Sequence, residues 1–215
     1  MTLINLKLKV CGMRDPENIL EVAALAPDYM GFIFYPPSPR YVGDDFTLPA
    51  GIPSSVRRVG VFVNAGLEEI QRNVQRASLT TVQLHGDESP ELCKALRASG
   101  VEVIKVFRVD EDTDFKRVVA WHGAVDFFLF DTKGQYYGGN ARTFRWAVID
   151  RYDQQTPFFL SGGITPDHIE SIKELDNYNL VAIDINSGVE IRPAEKDVEK
   201  IRLVRERLRT LKTEL

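Results

Sequence analysis

Thr80-Thr81-Val82-Gln83-Leu84-His85-Gly86-Asp87-Glu88-Ser89-Pro90-Glu91, followed by Gly100-Val101-Glu102, spells one complete structural period. A β-rich run starts at Thr80 and gives way to Ser89-Pro90-Glu91, which reads as an N-cap, a proline in the first helical turn and an acid at the positive end of the helix dipole. Gly100 ends that helix as a C′ glycine, and a new β-rich run starts at Glu102. The unit is therefore strand–helix–strand, with no hairpin turn between the strands. Similar β-rich or apolar runs begin near Leu6, Tyr29, Val59, Thr80, Glu102, Asp126, Pro157 and Leu180. Asp15-Pro16-Glu17 and Thr165-Pro166-Asp167 repeat the helix-opening device. Val198, Ile201, Val204, Leu208 and Leu211 form a helical stripe near the end. Eight such units predict a parallel sheet closed as a (β/α)8 barrel, a TIM barrel of one domain over residues 1–215. The alternative is an open doubly wound sheet, but Cys11-Gly12-Met13-Arg14 after the first run lacks the dinucleotide-binding glycine spacing.

The bulk properties fit. The chain has 215 residues, 44% hydrophobic and 27% charged, with 27 Lys and Arg against 31 Asp and Glu. A net charge of −4 gives no electrostatic reason to expect a nucleic-acid or membrane partner. The two cysteines, Cys11 and Cys93, do not make a disulfide framework. The first ten residues do not read as a signal peptide, and no run approaches the length of a membrane span, so the expected location is the cytoplasm. The charges Arg202, Arg205, Glu206 and Arg209 on the last helix fit a monomer, with a homodimer left open.

Strand alternation sorts the side chains. Leu8, Val10, Val82, Leu84, Phe128, Phe130, Ile183 and Ile185 suit the layer between sheet and helices. Lys9, Cys11, Gln83, His85, Asp131 and Asp184 then face the barrel interior, close to the C-terminal strand ends where barrel active sites are built. A structural polar plug would show the same pattern; without partners, however, such side chains would be costly there. Lys9, two residues before Cys11 on the same face, is expected to lower the thiol pKa toward neutral. Two late glycine loops, Ser161-Gly162-Gly163 and Asn186-Ser187-Gly188-Val189-Glu190, follow the seventh and eighth strands, the usual position of a barrel phosphate site. A small phosphorylated substrate is the expected partner.

Several stretches together resemble the phosphoribosylanthranilate isomerases of tryptophan biosynthesis. They are Lys9-Val10-Cys11-Gly12-Met13, Gly31-Phe32-Ile33-Phe34 with Ser38-Pro39-Arg40, Val59-Gly60-Val61-Phe62-Val63-Asn64, Val82-Gln83-Leu84-His85-Gly86 and Ser187-Gly188-Val189-Glu190. The resemblance runs from the first strand to the last helix. It implies a metal- and cofactor-free barrel that converts N-(5-phosphoribosyl)anthranilate to 1-(2-carboxyphenylamino)-1-deoxyribulose 5-phosphate by an Amadori rearrangement. It further implies Cys11 as general base, Asp131 as general acid and Arg40 as anchor for the anthranilate carboxylate. His85 would line the pocket, and the Gly162-Gly163 and Ser187-Gly188 loops would hold the phosphate. Asp184 is expected to brace the last strand's loop, and Glu190 to bond loop backbone.

The acid role requires Asp131 to hold a proton at neutral pH, which burial between apolar strand neighbours would favour. The chain departs from the family pattern at Gly138-Gly139-Asn140-Ala141, at Pro193-Ala194 where Pro-Gly is usual, and at Asn186 where serine is common. A metal-dependent phosphosugar epimerase would need several His and acidic ligands, but only His85, His122 and His168 exist. A non-catalytic phosphate-binding barrel is opposed by the presence of both Cys11 and Asp131.

Overall fold

The β-rich runs form the staves of a closed barrel in a computed structural model that describes residues 6–132 and 146–213. The strands are β1 (Lys7–Val10), β2 (Tyr29–Ile33), β3 (Arg57–Phe62), β4 (Thr81–Leu84), β5 (Glu102–Val109), β6 (Phe127–Thr132), β7 (Phe158–Ser161) and β8 (Leu180–Ile185). Each pairs in parallel with its sequence neighbour, and β8 pairs back onto β1 with Lys9 opposite Asp184. The sheet is therefore a (β/α)8-type barrel and not the open alternative.

Alternation sorts the core as expected. Val10, Val82, Leu84, Phe128, Phe130 and Ile183 join the large cluster between sheet and outer layer. Tyr29, Val59, Ile104, Val106, Leu129, Phe159 and Ala182 fill the barrel itself.

The first three α-helices are α1 (Pro16–Ala24), α2 (Leu67–Arg76) and α3 (Pro90–Ala98). Two of them, α1 and α3, lie where the caps place them, and the third, α2, begins at Gly66 without a side-chain cap. In α1, Asp15 accepts from Asn18 N at 3.0 Å. α3 starts at the Ser89 cap, with Cys93 buried in it. The terminal helix α4 spans Val198–Thr213 and buries Ile201, Val204, Leu208 and Leu211.

Other connections differ from the simple repeat. The segment between β2 and β3 contains no helix; Pro36, Pro37, Pro39, Pro49 and Pro53 remove backbone donors, and the segment packs Phe46, Leu48 and Ile52 on the core instead. The expected helix at Thr165-Pro166-Asp167 is a 3-10 turn, Pro166–His168, followed by a second at Glu170–Leu175. His168 Nδ1 accepts from the Thr165 amide at 3.0 Å, so this histidine caps a turn.

Beyond β8, β9 (Glu190–Arg192) and β10 (Glu195–Lys196) form an antiparallel hairpin around Pro193-Ala194. Ala194 adopts φ 71°, the left-handed region that glycine accepts more readily, so the departure from Pro-Gly carries backbone strain. The buried Asn18 of α1 fixes this hairpin by bonding both the amide and the carbonyl of Lys196, at 2.8 and 3.0 Å.

Replacing Ala194→Gly should stabilise the protein by about 0.5–1 kcal/mol, the relief of strain exceeding the entropy a glycine adds to the unfolded chain. Urea unfolding should show a higher midpoint at unchanged m-value; an unchanged or lower midpoint would mean the turn is not strained.

Candidate active site at the C-terminal mouth of the barrel

Cys11 follows β1 at the barrel mouth, where its amide donates to Ile185 O at 2.9 Å. Its thiol is buried against β2: a Cβ on Gly31 would lie 2.7 Å from Sγ, so only glycine leaves room for the side chain there. Below it, Lys9 Nζ donates to Asp184 Oδ2 at 2.8 Å in a fully buried ion pair. Asp184 therefore braces β8 to β1, and its Oδ1 has no hydrogen-bond partner among the described residues.

Burial pulls the Lys9 ammonium down, but the adjacent Asp184 and Cys11 outweigh it, and its pKa stands above the ordinary value. Burial likewise pushes the Cys11 thiol up, and the opposing pull of Lys9 and Lys196 does not restore it. This corrects the expectation of a thiol brought toward neutral. The Lys9 effect has the expected sign, but desolvation is larger.

Gln83 and His85 face inward as alternation requires, and Gln83 Nε2 lies 3.4 Å from His85 Nδ1. His85 Nε2 lies 4.0 Å from Asp131 Oδ2 at the end of β6. Burial first, then the nearby Arg108, Lys9 and Lys105, hold His85 down at about 4, so it is neutral at physiological pH. With Gln83 donating to Nδ1, the ring hydrogen sits on Nε2, toward Asp131. The Asp131 side chain is 31% exposed, so the burial expected for it is incomplete.

The floor beside His85 is fixed by a second buried pair. Lys105 Nζ meets Glu88 Oε2 at 3.0 Å and Gly86 O at 2.7 Å, while Glu88 accepts from the amides of Asn64 and Gly86.

Arg40 makes the bidentate carboxylate grip its type suggests, but on Glu190: Nε to Oε1 is 2.8 Å and Nη2 to Oε2 is 2.5 Å. Its Cδ lies over Gly12 beside Asn186. Glu190 also accepts from the Ala194 amide at 3.1 Å, the backbone role expected of it, and from Lys196 Nζ at 2.6 Å. Burial pushes the Glu190 carboxyl up, but Arg40 and Lys196 prevail and hold it at about 2. Lys196 also donates to Asn186 Oδ1 at 2.7 Å, which gives the asparagine at that position a job.

The two glycine loops close on each other at the same rim. A Cβ on Gly162 would lie 2.3 Å from Thr132 O, and one on Gly188 would lie 2.2 Å from Ile164 O. These approaches exclude side chains: Gly162 packs its turn on the end of β6, and Gly188 sets the loop after β8 against Ile164 of the loop after β7, with Ser187 exposed. The Gly138-Gly139-Asn140-Ala141 stretch lies outside the described residues.

The structure thus brings Cys11, Lys9 and Asp184 together, groups Arg40 with Glu190 and Lys196, and sets Gln83 and His85 toward Asp131. Sequence reading missed Lys196, whose short strand has no periodic signal. It also missed Arg108, which the alternation Ile104, Val106, Arg108 would have found.

A closed parallel barrel with a polar, cation-rich mouth defines a (β/α)8-barrel enzyme with its site at the C-terminal strand ends. The family model for N-(5'phosphoribosyl)anthranilate (PRA) isomerase matches residues 8–207. The N-(5'-phosphoribosyl)anthranilate isomerase of Parabacteroides distasonis is 44% identical over 198 residues, 91% of this chain and 90% of that protein. The phosphoribosyl anthranilate isomerase structure from Thermotoga maritima superposes with a TM-score of 0.78 at 33% identity, covering 95% of this chain and 99% of that one. A similar structure (TM-score 0.78, 31% identity, 95% and 99% covered) is a complex with reduced 1-(o-carboxyphenylamino)-1-deoxyribulose 5-phosphate. The chain belongs to the PRA isomerase family. It is an isomerase, and its reaction is that of PRA in tryptophan biosynthesis.

Substituting Lys9→Met should destabilise the fold by about 3–5 kcal/mol, because Asp184 is left buried without its cation. Adding Asp184→Leu should recover much of that loss in urea unfolding. Additive losses in the double variant would mean that the two side chains do not act as a pair.

Proposed function

We propose that Cys11 and Asp131 perform the Amadori rearrangement, as base and acid respectively. In this reading Asp131 protonates the furanose ring oxygen of N-(5-phosphoribosyl)anthranilate. The C1′–O bond breaks as the anilino nitrogen pair forms a protonated imine. Cys11 removes the C2′ proton, and the released pair forms the enolamine. This tautomerises by gaining a proton at C1′ and losing the C2′ hydroxyl proton to give the ketone, 1-(2-carboxyphenylamino)-1-deoxyribulose 5-phosphate. No cofactor or metal enters this scheme. The observation that carries it is the Cys11 thiol held beside the Lys9 ammonium at the strand end, where a thiolate, once formed, has a cation to stabilise it.

The phosphate is proposed to lie on Gly162, Gly163, Ser187 and Gly188, supported by the close approach of their two loops. Asp184 Oδ1 and Gln83 Oε1, buried and without partners among the described residues, suit ribose hydroxyls. His85, neutral, would line the pocket. Arg40 would take the anthranilate carboxylate through Nη1 and the second Nη2 hydrogen, which Glu190 does not use, while Glu190 holds its Nε–Nη2 side.

One barrel domain over 1–215, a cytoplasmic location and a monomer complete the reading, with no nucleic-acid or membrane partner. Among the described residues no helix is long and apolar enough to cross a membrane. The charges Arg202, Glu206 and Arg209 stay exposed on α4. A homodimer is the alternative, since a similar enzyme from Thermotoga maritima is described as dimeric.

Loss of substrate fluorescence should report turnover by the wild type without added metal. Cys11→Ala and Asp131→Asn should each lower kcat by about 100-fold or more. Because burial raises the thiol pKa, kcat/KM should climb as pH rises through neutral into the alkaline range. A silent wild type would end the reading, and undiminished variants would end the two assigned roles.

A further inference from the structure

Lys196 is fully buried, and the reaction scheme gives it no task. Its ammonium donates to Glu190 Oε1 at 2.6 Å and to Asn186 Oδ1 at 2.7 Å. That asparagine oxygen lies 2.7 Å from where a Gly12 Cβ would be, so the Asn186–Lys196 contact rests on the residue that follows Cys11. Cys11 itself donates its amide to Ile185 O, one residue before Asn186. The β9–β10 hairpin therefore delivers an ammonium to the seam between β1 and β8, at the level of the thiol. Two contacts fix the hairpin there. Asp197 N donates to Val189 O at 2.8 Å, and the Asn18 side chain bonds the Lys196 amide and carbonyl at 2.8 and 3.0 Å. Asn18 belongs to α1, the helix into which the Cys11-Gly12-Met13-Arg14 segment runs, so the thiol and the clamp on Lys196 share one short stretch of chain.

The charges gathered around Cys11 do not balance. Lys9, Arg40 and Lys196 bring three positive charges, while Asp184 and Glu190 bring two negative ones. Glu190 is shared by two of the cations. A thiolate at Cys11 completes the balance, whereas a neutral thiol leaves one positive charge over. Across the mouth, β4 and β6 contribute His85, which is neutral, and Asp131. Lys196 and Cys11 act on each other in the direction this count requires: the ammonium favours the thiolate, and the thiolate favours the ammonium. We propose that Lys196 is a positioning residue for the base: held by Asn18, it is the second cation, with Lys9, against which the Cys11 thiolate forms. This rests on the isomerase reading and adds to it a residue from outside the barrel strands.

Thiolate absorbance across pH, taken for each variant minus its Cys11→Ser counterpart, reads the ionisation without turnover. Lys196→Met should move Cys11 ionisation up by about one pH unit, the size of effect expected of one nearby charge. The rise of kcat/KM with pH should move with it. Activity near neutral pH should then fall by about 10-fold and approach that of the wild type once the thiol is ionised. Glu190→Gln removes the carboxylate that Lys196 and Arg40 share, so it should move the ionisation down, and it keeps the test open if Lys196→Met does not fold. A thiol unmoved in folded Lys196→Met, or unmoved or raised in Glu190→Gln, overturns the proposal and leaves Cys11 as base. So does a loss of activity in Lys196→Met that is equal at every pH, the mark of a purely structural lysine. A thiol that shifts while the kcat/KM profile stays in place overturns the base role of Cys11 and this proposal with it.

Discussion

The ion pair between Lys9 and Asp184 joins the first strand to the last, and the site is organised around it. The two residues are register partners across the seam that closes the barrel, and both are buried. Each charge has a buried opposite within 2.8 Å, which is the condition for keeping either one inside a barrel. The pair does more than close the ring. It holds a cation beneath Cys11 and keeps β8 in the position from which its loop reaches Ser187 and Gly188.

Around that pair the mouth is divided by charge. On the side of β1 and β8, cations are matched: Lys9 by Asp184, and Arg40 and Lys196 by Glu190. On the side of β5, Lys105 is matched by Glu88, while Arg108 and Arg117 are left without carboxylates among the described residues. A neutral His85 between them carries no charge of its own into the pocket. The thiol lies in a contest between desolvation, which favours SH, and nearby ammonium groups, which favour S⁻. Such a group responds strongly to small changes in solvent access, which suits a base that must work when substrate covers the mouth.

Much of this was legible in the sequence, because it follows from local rules. Proline-containing caps marked α1 and α3, and alternation placed Lys9, Cys11, Gln83, His85 and Asp184 inward. What was not legible depends on pairings between distant residues. Nothing near Arg40 signals that Glu190, 150 positions later, will occupy its guanidinium, and nothing near Lys196 signals burial against Asn18. The thiol pKa was misjudged because strand spacing reports the neighbouring charge and is silent on desolvation. The proline-rich crossing from β2 to β3 and the 3-10 turns after β7 show the repeat yielding to local chemistry without moving a strand end.

The most direct test of the central claim is the ionisation of Cys11 itself, read as thiolate absorbance of wild type minus Cys11→Ser across pH, with and without Lys9→Met. The account predicts that Cys11 in the ligand-free protein ionises above the ordinary thiol value of about 8.5, and higher still once Lys9 is removed. A thiol that ionises below that value, or one that Lys9→Met leaves unmoved, would contradict it.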